Sequence, residues 1–218
     1  MSETQQEQHP FLDFIKKNQK ALTYTLVLAI VLIGGYFGYA ELYQKPREAK
    51  AADALFMAEK YFANDSSSYV LNGDGAGSKG VLYIIKEFSG TKAANLAKYY
   101  AGISYFRLND FNKSIEYLKD FSTDAKQVQA IAYGTLGDAS AELKKTDDAV
   151  SYYKKAGEYF PEDEVISSEY LFRAAAFLEL NGKNEEAVEL YSKIKSKYPK
   201  TEKGFNADKY INRLKVQP

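Results

Sequence analysis

The side chains that most often carry catalysis are nearly missing from this sequence. His9 is its only histidine, and it has no cysteine. A nucleophile relayed through imidazole is therefore excluded from everything beyond the N-terminal tail. Structural zinc would lack its soft ligands. Two acidic segments remain. Asn72-Gly73-Asp74-Gly75 invites a calcium-loop reading, but neither the further carboxylates nor the closing glutamate of such a loop follows. Asn-Gly and Asp-Gly are better read as turn formers. Glu162-Asp163-Glu164 comes directly after Pro161, at a helix start, where acids complement the positive end of the helix dipole. The expectation is a protein with no catalytic residue, no metal and no cofactor, and so not an enzyme.

The elements around this empty inventory are more informative. Residues 21–40 contain no charge and are overwhelmingly apolar. As a helix rising about 1.5 Å per residue they cover roughly 30 Å, the hydrocarbon thickness of a bilayer. Lys16, Lys17 and Lys20 precede this run, and Lys45, Arg47 and Lys50 follow it among Glu41 and Glu48. The flanking basic residues nearly balance, so they do not fix orientation by themselves. A first span followed by a long domain behaves as a signal anchor, which puts residues 1–20 in the cytoplasm, 21–43 in the membrane and 44–218 outside. A cleaved signal peptide ending near Gly38-Tyr39-Ala40 is the alternative; its apolar core would be shorter, about 7–15 residues, and its polar leader briefer. With no cysteine there is neither a lipid-modified thiol nor a disulfide framework. Gly34 and Gly38 form a G-x-x-x-G pair in the span, a face on which a partner helix could pack, although glycine is common in membrane helices anyway.

Lysine and arginine together number 29, as do aspartate and glutamate, so the net charge is zero. The tail is itself balanced, with Lys16, Lys17 and Lys20 against Glu3, Glu7 and Asp13. A neutral domain has no long-range attraction for phosphate backbones, which argues against nucleic acid as a partner.

The exported part repeats itself. Small residues recur at Ser114, Ala149 and Ala187, each followed four positions later by a large one: Leu118, Tyr153 and Tyr191. Phe121, Ala156 and Ile194 come three residues further on, and Pro161 and Pro199 close two of the units. Upstream lie second helical segments with small residues at Ala101-Gly102, Leu136-Gly137 and Ala174-Ala175. Short turns at 108–110, 144–146 and 181–183 join the two helices of each unit.

This spacing resembles the tetratricopeptide repeat, a helix-turn-helix of roughly 34 residues, with its tryptophan absent throughout. The expected fold is all-α: one N-terminal transmembrane helix, then an α-solenoid of four repeats and a cap. The repeats fall at about 50–90, 93–123, 126–161 and 164–199, and the capping helix at 201–215. The first repeat is irregular. Residues 54–62 read as its front helix and 80–88 as its rear one, with a glycine-rich stretch between them too long for the usual turn. Phe88-Ser89-Gly90-Thr91 sets its register by matching Tyr198-Pro199-Lys200-Thr201.

The resemblance also implies a site. In this repeat family the front helices line a concave groove. Position by position, that gives Leu96, Tyr99, Ile103 and Phe106, then Ile131, Gly134, Asp138 and Ala141, then Glu169, Phe172, Ala176 and Glu179. The groove is expected to be apolar and aromatic at one end and mildly acidic at the other. The anchor, the loop at 71–75, the segment 90–102 and the closing Asp208-Lys209-Tyr210-Ile211-Asn212-Arg213 are together similar to a family of envelope tetratricopeptide proteins of Bacteroidota. In plan the chain resembles the YfgM-like ancillary subunits of the Sec translocon. Those likenesses imply an inner-membrane protein with a periplasmic interaction domain. Its partners would be the translocon, a periplasmic chaperone or an exported polypeptide. The alternative is a scaffold for envelope assembly or cell division.

Overall fold

A helical period of small and apolar residues yields helices from one end to the other. A computed structural model describes residues 10–216, and among these every regular element is helical. His9 lies outside the described residues. The chain divides into two units, Met1–Ala49 and Lys50–Pro218.

The first unit holds α1 (Pro10–Lys17), α2 (Gln19–Tyr39) and a π-helical turn over Ala40–Gln44. No residue of α2 is buried. Leu26, Val27, Ile30, Val31 and Ile33 are all exposed, so the apolar side chains of α2 are not covered by the rest of its unit. Thr23 and Thr25 donate their hydroxyls to the carbonyls of Gln19 and Ala21 at 2.8 and 2.9 Å, which satisfies both within the helix itself. Tyr36, Tyr39 and Tyr43 gather toward the end of the apolar run, the usual place of amphipathic rings at a membrane boundary. The helix starting at Gln19 is, among the described residues, the one long and apolar enough to cross a membrane.

The second unit is built from antiparallel helix pairs. α3 (Lys45–Ala63) contributes Ala51, Leu55 and Ala58 to its core; α4 (Ser67–Asn72) and α5 (Val81–Glu87) follow. Then come the pairs α6 (Lys92–Arg107) with α7 (Phe111–Lys119), α8 (Lys126–Glu142) with α9 (Thr146–Tyr159), and α10 (Glu164–Leu180) with α11 (Asn184–Lys197). α12 (Glu202–Val216) closes the stack and buries Ala207, Ile211 and Leu214 against the last pair. Ser114, Ala149 and Ala187 are fully buried where the two helices of each pair cross. At Gly137 the approach is so close that a Cβ would stand 2.5 Å from the Tyr153 ring.

One turn recurs. Asp65, Asn109, Lys144 and Gly182 all take a left-handed conformation, with φ between 52 and 73°. After each of them an amide reaches back to the carbonyl five residues earlier: Ser66 to Tyr61, Asp110 to Tyr105, Lys145 to Ser140 and Lys183 to Leu178, all at 2.9 Å. This six-to-one bond satisfies a carbonyl that the helix end would otherwise leave open.

The recurrence at Asp65 corrects one expectation. The long glycine-rich stretch does not sit between the front and rear helices of the first repeat. The turn there is ordinary, and the extra residues interrupt the rear helix, splitting it into α4 and α5. Val70 takes the place of Ser114, and Val81 that of Leu118. The two ends of the excursion meet, since a Cβ on Gly80 would lie 2.2 Å from the Leu71 carbonyl oxygen. Asp74 holds the loop together: its carboxylate accepts from the Tyr61 hydroxyl at 2.7 Å and from the amides of Ala76 and Ser78 at 2.8 and 3.1 Å. Gly73, with φ of 81°, supplies the turn that Asp74 needs.

The helix starts repeat as well. Thr91 and Thr201 each accept from the amide three residues on and donate to the carbonyl three residues back, Phe88 in one case and Tyr198 in the other. Asp163 caps α10 by accepting from Ile166 at 3.0 Å, the role expected of the acidic run there.

Candidate partner-binding face

The front helices α6, α8 and α10 carry every position assigned to the groove. On α6, Leu96, Tyr99, Ile103 and Phe106 are all half-buried. The Tyr99 ring lies 5.2 Å from Phe121 and 6.4 Å from Phe62, and Phe106 lies 5.6 Å from Phe111. Burial raises the Tyr99 phenol above its ordinary pKa, and Arg107 opposes the rise. Beside it, Tyr100 donates to Glu59 at 3.3 Å; burial first and then the Glu59 charge push its pKa up to about 12. Arg107 sits 4.4 Å over the Phe62 ring and pairs with Asp65 at 3.0 Å. This end of the face is aromatic and carries its one guanidinium already engaged.

On α8, Ile131 is exposed while Gly134 is buried beneath the Tyr170 ring, with room for no side chain. Asp138 accepts from the Tyr153 hydroxyl at 2.8 Å and from Arg173 Nη1 at 3.1 and 3.2 Å. Burial, with the Asp138 charge beside it, drives the Tyr153 phenol far above its ordinary range. Ala141 packs against the C-terminal core.

On α10, Glu169 accepts from Arg173 Nε at 3.0 Å and faces Lys203 at 3.4 Å. Phe172 lies 5.5 Å from Tyr191 and 4.9 Å from Tyr210, with the Lys203 ammonium 4.7 Å over its ring. Ala176 is half-buried. Glu179 accepts from Arg213 Nη2 at 2.6 and 2.9 Å and from the Tyr191 hydroxyl at 3.1 Å. The expected acidic end is thus compensated: Asp138, Glu169 and Glu179 each have a basic partner from the same helix or from the next helix but one.

Five residues of this surface were not legible from the repeat pattern: Tyr170, Arg173, Lys203, Tyr210 and Arg213. Glu169 and Arg173 stand four apart on one helix, a spacing that announces an ion pair. The others meet α10 and α8 only through the stacking of successive repeats. In α2, Gly34 and Gly38 have open space around them, and a Cβ on either would meet nothing. Among the described residues no three histidine, aspartate or glutamate side chains come together in a way that could hold a metal ion.

The comparisons agree with this architecture. A family model described as tetratricopeptide repeat matches residues 96–125 and 169–201. The crystal structure of a Podosopora anserina protein, described as a kinesin light chain with nearly identical TPR-like repeats, is similar with a TM-score of 0.52 and 12% identity. The alignment covers 77% of this chain and 85% of that one. No curated protein matches the chain. The fold is an all-helical, TPR-like solenoid.

Proposed function

We propose that this chain is a membrane-anchored interaction protein that holds a polypeptide on the front-helix face of its repeats. Within that reading it serves as an accessory or chaperone-recruiting subunit of the Sec translocon, with its N-terminus in the cytoplasm and its repeats in the periplasm. The observation that carries the first part is the surface itself. Aromatic and aliphatic side chains at Leu96, Tyr99, Ile103 and Phe106 are left half-covered and Ile131 is exposed, while the neighbouring carboxylates are compensated. Rings that pack on one side and meet water on the other make good anchors for a peptide, each worth about 2 kcal/mol on truncation. The translocon assignment is supported by the plan of one N-terminal apolar helix followed by repeats, and plan alone is a weaker guide than a site.

A photocrosslinking residue at Ile131 in intact cells tests both parts. Capture of a Sec subunit, a periplasmic chaperone or an exported chain is expected there, and none at exposed Glu186 on α11. Equal labelling at both positions would remove the groove from the proposal. Cell-wall or division proteins captured at Ile131 would move the chain to envelope scaffolding.

A further inference from the structure

α1 leads into α2 through Asn18 alone. Asn18 departs from helical angles, with φ −107° and ψ 14°, and its side-chain amide donates to the Phe14 carbonyl at 2.9 Å. The two helices differ in kind. α2 is apolar on all sides, whereas the register of α1 divides it. Phe14 and Ile15 lie on one side of it, and Lys16 and Lys17 on the other. Phe14 is 57% exposed.

Resting on the reading of α2 as a membrane span, the geometry points to α1 as an interfacial helix bound to anionic phospholipid. Its Phe14–Ile15 side enters the boundary between headgroups and acyl chains, and its two lysines, with Lys20 just beyond it, hold the headgroups. Two observations identify this occupant. The first is continuity, since α1 ends one residue before the helix that enters the bilayer. No point of it lies further than about 14 Å along the chain's helical rise from the start of that helix. The second is charge: the lysines nearest the span, Lys16, Lys17 and Lys20, are met there by Asp13 alone, the other two acids of the tail, Glu3 and Glu7, lying further out in the sequence. An apolar stripe backed by lysines is the composition that lies in a membrane surface instead of crossing it. Asn18 is the joint at which a surface helix can turn into a spanning one.

The natural absence of cysteine allows a direct test on the full chain. Ile15→Cys, Lys17→Cys and Leu28→Cys variants, each carrying an environment-sensitive fluorophore, are placed in vesicles of phosphatidylcholine with or without phosphatidylglycerol. With phosphatidylglycerol present, the label at 15 is expected to be at least about threefold less accessible to aqueous iodide than the label at 17. It is expected to be quenched by spin-labelled lipid near the headgroups, and the label at 28 only by deep acyl-chain quenchers. Adding Phe14→Ser to the Ile15→Cys chain should abolish the protection. Equal iodide access at 15 and 17, with 28 still deep, overturns the interfacial helix and leaves the span standing. Iodide access at 28 overturns both. Protection at 15 that is lost as the protein is diluted in excess lipid gives the face to a second copy, and also overturns the proposal.

Discussion

The Tyr170 ring lies across Gly134 so closely that a Cβ on the glycine would stand 2.1 Å from it. One repeat thereby lays an aromatic side chain over the backbone of the repeat before it, and burial pushes that phenol up to about 12. The contact joins α8 to α10 at the centre of the face proposed for partners.

Gly134→Ala is expected to destabilise the protein by about 2 kcal/mol, because overpacking outweighs the gain of roughly 0.5–1 kcal/mol from alanine in a helix. Chemical denaturation of the full chain in mild detergent measures it. Adding Tyr170→Ala should recover most of the steric part, and strict additivity of the two changes would show that the ring does not rest on Gly134.

Ser114 is fully buried, and its hydroxyl has no hydrogen-bond partner among the described residues. The equivalent positions in the next two repeats are Ala149 and Ala187. Ser114→Ala is therefore expected to raise stability by about 1 kcal/mol, since an unsatisfied buried hydroxyl is removed at no loss of contact. An unchanged or lower melting temperature would contradict this.

Asp138 and Arg173 form a pair that is partly open to water, with side-chain exposures of 28% and 41%. A double-mutant cycle with Asp138→Asn and Arg173→Met should give a coupling of only about 0.5–1 kcal/mol. Raising the salt concentration should shrink it. A coupling several times larger would mean that the pair is shielded from solvent.

Acid should loosen the glycine loop of the first repeat. The Tyr61 hydroxyl, then Ser78 and the Ala76 amide, hold the Asp74 carboxyl well below the usual carboxylate range. A group depressed in the folded state stabilises it above the unfolded pKa, near 4, and loses that contribution as pH falls through the folded value. Amide exchange across residues 73–79 should therefore accelerate at acid pH in the wild type. In Asp74→Asn it should already be faster at neutral pH and depend less on acid. Identical protection in the two proteins would remove Asp74 from the role.

Thr91 and Thr201 show how far the repeats could be read in advance. Their flanking sequences align, and their caps are the same bond for bond. The turns at Asn109, Lys144 and Gly182 likewise fall where small crossing residues and polar breaks placed them. The first repeat was misread because an eight-residue break inside a helix, at 73–80, and a long turn before one leave similar glycine-rich traces. Only the left-handed Asp65 and its following amide tell them apart. Which side of α6, α8 or α10 a residue takes was legible position by position, since helical period fixes it. The charge balance of the proposed face was not, because Lys203 and Arg213 reach Glu169 and Glu179 from a helix more than twenty residues away. That proximity comes from the rise and turn of the stack, which no local period encodes.

The meeting of Leu71 and Gly80 makes the loop between them a detachable handle. Whatever is spliced in near Gly75 enters and leaves through one narrow neck, so the helices on either side keep their spacing. A reporter or affinity sequence inserted there would ride on the first repeat without reaching the stack behind it.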